Sequence, residues 1–478
     1  MRLRLFLVMV LLAVPRALAE GLPELGDVAQ AGFSAQQERR LGENIMREIR
    51  ADRSFYDDAE ATDFINALGN RLASRSTDAR QDFEFFLIRD SQINAFALPG
   101  GFIGVHTGLV LAAQSESELA GVLSHEIAHV TQRHIARMIA QQKQSAVMSI
   151  AAMAAALLLS RVSSQASEAA AAFGTASAIQ TGLNFTRANE QEADRVGLQV
   201  LERSGFDPRG MVSFFERLQR ATRIYETGAP SYLRTHPLTY ERIADIQNRL
   251  LGSNYRQVPD STEFQLIRAK LKAQLEAPND AVAFFENSLS ERKFLSEAAS
   301  HYGLAASLIR LKNFARARKE LDAVHKAVPQ SPIVETLSCE LIQASAGAQS
   351  AVACYRDALR TYPSYRALFY AHVNALIQSG QPAVALKQLE ERLQLITDDY
   401  RLYLLQARCY AALNKPLAQS RAQAEAYVRM GNFTAAVEQL QIGLKSGDGD
   451  FYQLSSAEAR MRELRKIDEE MRREAKKQ

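Results

Sequence analysis

Apolar and polar positions alternate along this chain with three different periods. From about Ser34 to Arg75, Leu41, Ile45 and Ile49 recur at helical spacing, with Glu38, Arg39, Arg40 and Glu43 between them; this predicts two amphipathic helices with those charges in solvent. Phe83 to Arg89 is aromatic and β-branched, a predicted strand, and a second extended run, Phe102, Ile103, Gly104, Val105 and His106, follows the turn Pro99-Gly100-Gly101. Placed just before a helix, this pair is expected to offer residues 102–106 as a backbone edge for an extended peptide substrate. The helix itself is expected to begin near Ser115, where Ser-Glu-Ser-Glu supplies a cap and an acidic first turn. Ala146 to Leu159 is almost wholly apolar, and the chain is then serine-rich to about Ser177. That run is short of the roughly 20 residues a membrane span needs. A helical hairpin beside the preceding helix is the expectation, with membrane contact as the alternative.

Beyond about Asp260 the pattern is purely helical and repeats. Ala283, Ala317, Ala351 and Ala385 are spaced 34 residues apart, as are Pro329 and Pro363. Leu321, Tyr355 and Leu389 each follow an alanine by four, and Leu304, Ala305 and Leu308 precede Ala317. This is the tetratricopeptide period, in which a small residue lets paired helices approach and proline closes the unit. After Leu413 the phase slips, because Ala436 lies 51 residues past Ala385. Extra half-repeats and a charged capping helix near Ser456 to Lys476 are expected there.

The first residues change the charge balance. Met-Arg-Leu-Arg, an apolar run from Leu5 to Val14 and Ala17-Leu18-Ala19 read as a secretory signal peptide, residues 1–19, cut after Ala19. Its loss removes Arg2, Arg4 and Arg16, taking the basic count from 57 to 54 against 54 acids. A neutral mature chain argues against nucleic-acid binding. With 478 residues two domains are expected, 20–260 and 261–478. Three cysteines are too few for a disulfide scaffold; Cys339 and Cys354 either bridge neighbouring helices or stay reduced, and Cys409 is left over.

The chemistry concentrates in His125-Glu126-Ile127-Ala128-His129. On a helix the two histidines share a face and can grip one zinc ion, and Glu126 becomes a candidate general base. A hydrolytic site needs a third protein ligand and an open position for water. Glu190 fits, and Asp194, four residues on, shares its face and can hydrogen-bond a ligand imidazole. Glu192 falls on another face. A third histidine at the spacing of metzincins is missing, since position 135 is isoleucine, and His134 reads as a surface or outer-sphere histidine. His236, held extended by Pro237, could donate to the oxyanion of a tetrahedral intermediate or cap the open metal position.

Asn94 to Gly101, His125 to His129, Glu190 to Asp194 and Thr235-His236-Pro237 together resemble the zinc metallopeptidases related to CAAX prenyl proteases and the HtpX heat-shock protease, over roughly residues 40 to 250. The resemblance implies one zinc ion on His125, His129 and Glu190, Glu126 as catalytic base, Asp194 in the place of a proton donor, and His236 as a regulatory or transition-state residue. It also implies a mainly α chain: a gluzincin-type α+β metallopeptidase domain with a small β-sheet, followed by an α-solenoid of tetratricopeptide repeats. For a secreted member with such repeats it implies a periplasmic endopeptidase and assembly factor. Its partners would be outer-membrane β-barrel proteins and their assembly machinery, with peripheral contact to the outer membrane. The alternative is a chaperone or scaffold with latent proteolysis.

Overall fold

In the computed structural model, residues 33–76, 82–141, 185–224, 231–251 and 258–475 are described. Residues 1–19, expected to be a signal peptide, and the alanine-rich stretch 146–177, expected to form a helical hairpin, lie outside the described residues. Helix α1 (Ala35–Ala51) starts from a capping box between Ser34 and Gln37, and α2 (Ala59–Ala73) from Asp58, whose side chain accepts from the Ala61 N–H. Leu41, Ile45 and Ile49 face inward as the periodicity requires. Glu38 does not face solvent: it is buried and paired with Arg133 at 3.2 Å, because α1 lies against the loop where Arg133 sits.

Three strands follow: β1 (Glu84–Ile88), β2 (Ala95–Ala97) and β3 (Phe102–His106). Their order is β1-β3-β2, with β1 parallel and β2 antiparallel to β3. The strand expected to offer an edge, Phe102, Ile103, Gly104, Val105 and His106, is therefore the central one. The physical reason is the short run at Ala95–Ala97, which folds back through a turn whose Gly100 and Gly101 have φ of 79° and 88° and occupies the face of β3 left open by β1. Three residues are too few to announce a strand by alternation. All five residues of β3 are buried.

Helix α3 (Thr107–Ala112) leads into α4 (Glu116–Thr131), capped by Ser115. Every residue of α4 is buried, so it forms the axis of this part of the chain. Around it lie α5 (His134–Gln141), α6 (Arg187–Arg203), α7 (Arg209–Ile224), the single turn α8 (Ser231–Thr235) and α9 (Tyr240–Leu250).

The remaining described residues form successive helical pairs: α10 (Thr262–Leu275) with α11 (Pro278–Ser290), α12 (Glu297–Arg310) with α13 (Phe314–Ala327), α14 (Pro332–Ala346) with α15 (Ala348–Thr361), and α16 (Arg366–Gln378) with α17 (Pro382–Leu393). Ala317, Ala351 and Ala385 are fully buried where the pairs pack. Ala283 is exposed; Ala281 takes the buried place and Phe285, four residues on, that of Leu321. Helix α19 (Pro416–Arg429) packs against both α18 (Tyr400–Ala412) and α20 (Phe433–Leu444), which accounts for the half-repeat step, and α21 (Phe451–Ala475) closes the array five residues earlier than expected. Cys339 and Cys354 are disulfide-bonded, joining α14 to α15, and Cys409 is a buried free thiol.

The solenoid shares its core with the first part of the chain: one apolar cluster runs from Tyr56 to Leu341. Beside it, Lys270 of α10 is buried with Nζ 2.7 Å from Glu60 and 2.8 Å from Asp58, at the start of α2. Tyr365 donates to Glu60 at 3.1 Å, and Arg366 to Asp63 at 2.6 Å. Removing one member of a buried pair strands the other charge. Lys270→Met should therefore cost about 3–5 kcal/mol in chemical unfolding, and Lys270→Met with Glu60→Leu should recover most of it; equal losses in the single and double variants would contradict this.

Candidate functional site

The site is built from two helices that can approach because one carries a glycine. A Cβ on Gly197 of α6 would lie 3.0 Å from the His125 backbone of α4, so a larger residue would push the helices apart. The contact sets Glu190 and Asp194, on one face of α6, opposite His125 and His129, on one face of α4. His125 Nε2 lies 3.0 Å from His129 Nε2 and 3.5 Å from Glu190, and His129 Nε2 is 3.4 Å from Glu190. His236 joins them, its Nδ1 3.0 Å from Glu190 and 3.4 Å from His125. Ligand atoms of His125, His129, Glu190 and His236 all lie within 4.8 Å of one another, and all four residues are buried. Imidazole nitrogens and a carboxylate are the donor set that suits a divalent transition metal, zinc among them.

The far nitrogens are engaged elsewhere. His125 Nδ1 is 3.0 Å from Asp194 Oδ1, and Arg242 of α9 grips Asp194 in a fork of 2.7 and 2.8 Å. Arg242 Nη1 also reaches Glu190 at 2.8 Å. With both Nδ1 atoms committed, His129 Nδ1 to His134 at 2.8 Å, the Nε2 atoms of His125 and His129 face each other across a space that a cation fits. Burial opposes ionisation of Glu190, yet His236, His125 and His129 hold its carboxyl well below the usual range. Burial likewise opposes ionisation of Asp194, but Arg242 and His125 prevail and lower it. For His125, Asp194 and Glu190 outweigh burial and raise the imidazole to about 9; burial drives His129 well below its ordinary value. Glu126 is wholly buried, which pushes its carboxyl up, with Oε1 3.5 Å from His236 Nε2. A raised carboxyl suits proton transfer near neutrality.

Of the residues singled out in the sequence, His125, Glu126, His129, Glu190, Asp194 and His236 come together here. The β3 residues carry none of the donor atoms. His134 is buried rather than at the surface, against His129 and Glu192. Three residues went unassigned. Arg242 follows Pro237 by five, and nothing in its spacing announces a partner on α6. Phe185 stacks on His129 with ring centroids 4.0 Å apart, and Tyr232 stacks on His236 at 4.6 Å. Neither belongs to a metal-ligand pattern, so only packing identifies them.

Residues 60–250 match the model of Peptidase family M48. The beta-barrel assembly-enhancing protease of Escherichia coli (strain K12) is 34% identical over 454 residues, spanning 94% of this chain and 92% of its own. That of Yersinia pestis is 33% identical over 457 residues, 94% of this chain and 93% of its own. The mitochondrial metalloendopeptidase OMA1 of Schizosaccharomyces pombe is 33% identical over 217 residues, 45% of this chain and 61% of its own.

Glu190 and Asp194 ionise more readily folded than unfolded, so the unfolded chain binds more protons in the carboxylate range. Their contribution to stability is complete above the unfolded values of about 4 and is lost as pH falls through the lower folded values. In chelator-treated protein, unfolding free energy should rise with pH between about 2 and 5. Arg242→Met, which strands both carboxylates, should cost about 3–5 kcal/mol near neutrality and flatten that rise; an unchanged pH slope would contradict the assignment.

Proposed function

Because this chain belongs to peptidase family M48, and is thereby a metallopeptidase, we propose that it is a periplasmic zinc endopeptidase and assembly factor acting on outer-membrane β-barrel proteins. The observation that carries the catalytic part is the buried meeting of His125, His129 and Glu190 beside Glu126. In this reading His125, His129 and Glu190 hold one zinc ion per chain. Zinc would supply Lewis acidity, polarising the scissile carbonyl and acidifying a water towards a pKa of about 7. Glu126 would be the base that takes a proton from the attacking water and returns it to the departing amine. Asp194 does not need to be the proton donor: its contacts to His125 and Arg242 suit it to hold the imidazole in one tautomer. The Ala97 backbone of β2 lies close enough to Glu126 to favour its carboxylate, so an extended substrate is proposed to meet the sheet at β2 rather than β3.

His236 supports a latched resting state. Its Nδ1 lies among the other donors, so it can take the position a substrate carbonyl or water would need. The proposed division is a peptidase domain over 20–260 and a repeat domain over 261–478, with residues 1–19 a signal peptide cut after Ala19. The helical pairs would recruit outer-membrane proteins and their assembly machinery, a role suggested by the name of the relatives. The second reading, a chaperone or scaffold with latent proteolysis, is favoured by the position of His236.

Glu126→Gln should keep one metal per chain and lose at least about 10²–10⁴-fold in casein hydrolysis; full hydrolysis by that variant, purified from a strain lacking its relatives, would refute the base assignment. His236→Ala should raise the rate of the same assay while metal content stays at one, and a fall in rate would instead favour a transition-state role. If Glu126→Gln still supports outer-membrane assembly in cells, the scaffold reading gains over the catalytic one.

A further inference from the structure

His134 is singled out by the sequence and used by none of the chemistry above. A continuous helix would not bring it to His129, since a residue five positions on lies about 140° around the axis. The chain breaks instead. Helix α4 ends at Thr131, and Arg133 adopts φ of 51°, a left-handed conformation that non-glycine residues hold only under constraint. The constraint is visible: its guanidinium donates to the Phe33 carbonyl at 2.7 Å and to Glu38 at 3.2 Å. The break swings His134, fully buried, until its Nδ1 lies 2.8 Å from His129 Nδ1. On the other side His134 Nε2 is 3.1 Å from Glu192 Oε2, and Arg137 donates to the same oxygen at 2.8 Å.

The hydrogens on this chain of contacts can be assigned. An ionised Glu192, held by Arg137, can only accept, so His134 carries its proton on Nε2 and presents a lone pair at Nδ1. The proton between the two Nδ1 atoms therefore belongs to His129, whose Nε2 is left bare and turned towards His125 and Glu190. A bare Nε2 is the form a metal ligand requires. His125 receives the same treatment directly from Asp194. Helix α6 thus uses three alternate carboxylates: Glu190 among the donors, Asp194 behind one imidazole, and Glu192 behind the other at one imidazole's remove.

We infer that His134 is a positioning residue, which with Glu192 and Arg137 fixes the tautomer and ring orientation of His129. This rests on the reading of His125, His129 and Glu190 as a metal site.

The test uses the full chain, stripped with a chelator and titrated with zinc against a chromophoric competitor, and separately loaded with cobalt(II) for its visible spectrum. His134→Phe, which fills the space without a hydrogen bond, should weaken zinc binding about 10–100-fold and alter the cobalt bands. His134→Gln can accept from His129 and donate to Glu192, and should restore most of the affinity. Glu192→Leu, on a side chain 39% exposed, removes the acceptor for His134 Nε2, should weaken binding in the same direction and keeps the inference testable if His134→Phe does not fold. Zinc affinity within twofold of the parent for Glu192→Leu, and for His134→Phe where it folds, with unchanged cobalt bands, would overturn the relay. A parent chain that takes up no zinc would overturn the metal site itself, a different failure from the first. A nitrogen-detected spectrum of the parent should show His129 protonated at Nδ1; protonation at Nε2 would also overturn the relay.

Discussion

Two carboxylates, Glu190 and Asp194, are buried in one turn of one helix, and the rest of this site depends on how that charge is met. A buried ionised carboxylate without partners is too costly to survive folding. Arg242 meets both at once, forking onto Asp194 and reaching Glu190. A guanidinium suits this task because its planar donors engage two acceptors in fixed directions and stay protonated when buried. Arg242 is in turn held by the Pro237 carbonyl at 2.8 Å, one residue past His236. The residue that neutralises the donor helix is thus tied to the segment that brings His236 into the cluster.

The imidazoles impose a complementary constraint. In the proposed metal site each histidine of α4 would turn one nitrogen inward with no proton on it, which requires its other nitrogen to meet an acceptor. Phe185 and Tyr232 wall the rings by stacking and leave them little freedom to rotate. Burial that would be destructive for isolated polar groups here strengthens every contact, because little water competes. The same enclosure raises the Glu126 carboxyl towards the range where a base can both take and return a proton.

The helical repeats are joined to the peptidase portion as part of its interior. The apolar cluster continues from Tyr56 through Phe264 to Leu341, and Lys270, Tyr365 and Arg366 bind the acidic start of α2. Tyr400 adds a hydrogen bond to Asp57 at 2.5 Å from a helix further along the array. A solenoid attached at several repeats has less freedom to swing than one on a linker, so the surfaces it presents to a partner are set relative to the buried donors.

Much of this was legible in the sequence because local periodicity encodes it. Residues four apart on a helix share a face wherever that helix ends up, so the pairing of His125 with His129 and of Glu190 with Asp194 needed no tertiary information. The 34-residue spacing of Ala317, Ala351 and Ala385 likewise reports a repeated packing contact; at Ala283 it misled by two residues, since an exposed alanine costs nothing and keeps the count by accident. What local pattern cannot encode is contact between distant segments. That β3 is central depended on a three-residue strand folding back onto it, and the burial of Glu38 on Arg133, 95 positions away. Arg242 and His134 look like ordinary polar residues along the chain. Only the packing of α6 and α9 around α4, and the left-handed turn at Arg133, give one a pair of carboxylates and the other an imidazole to hold.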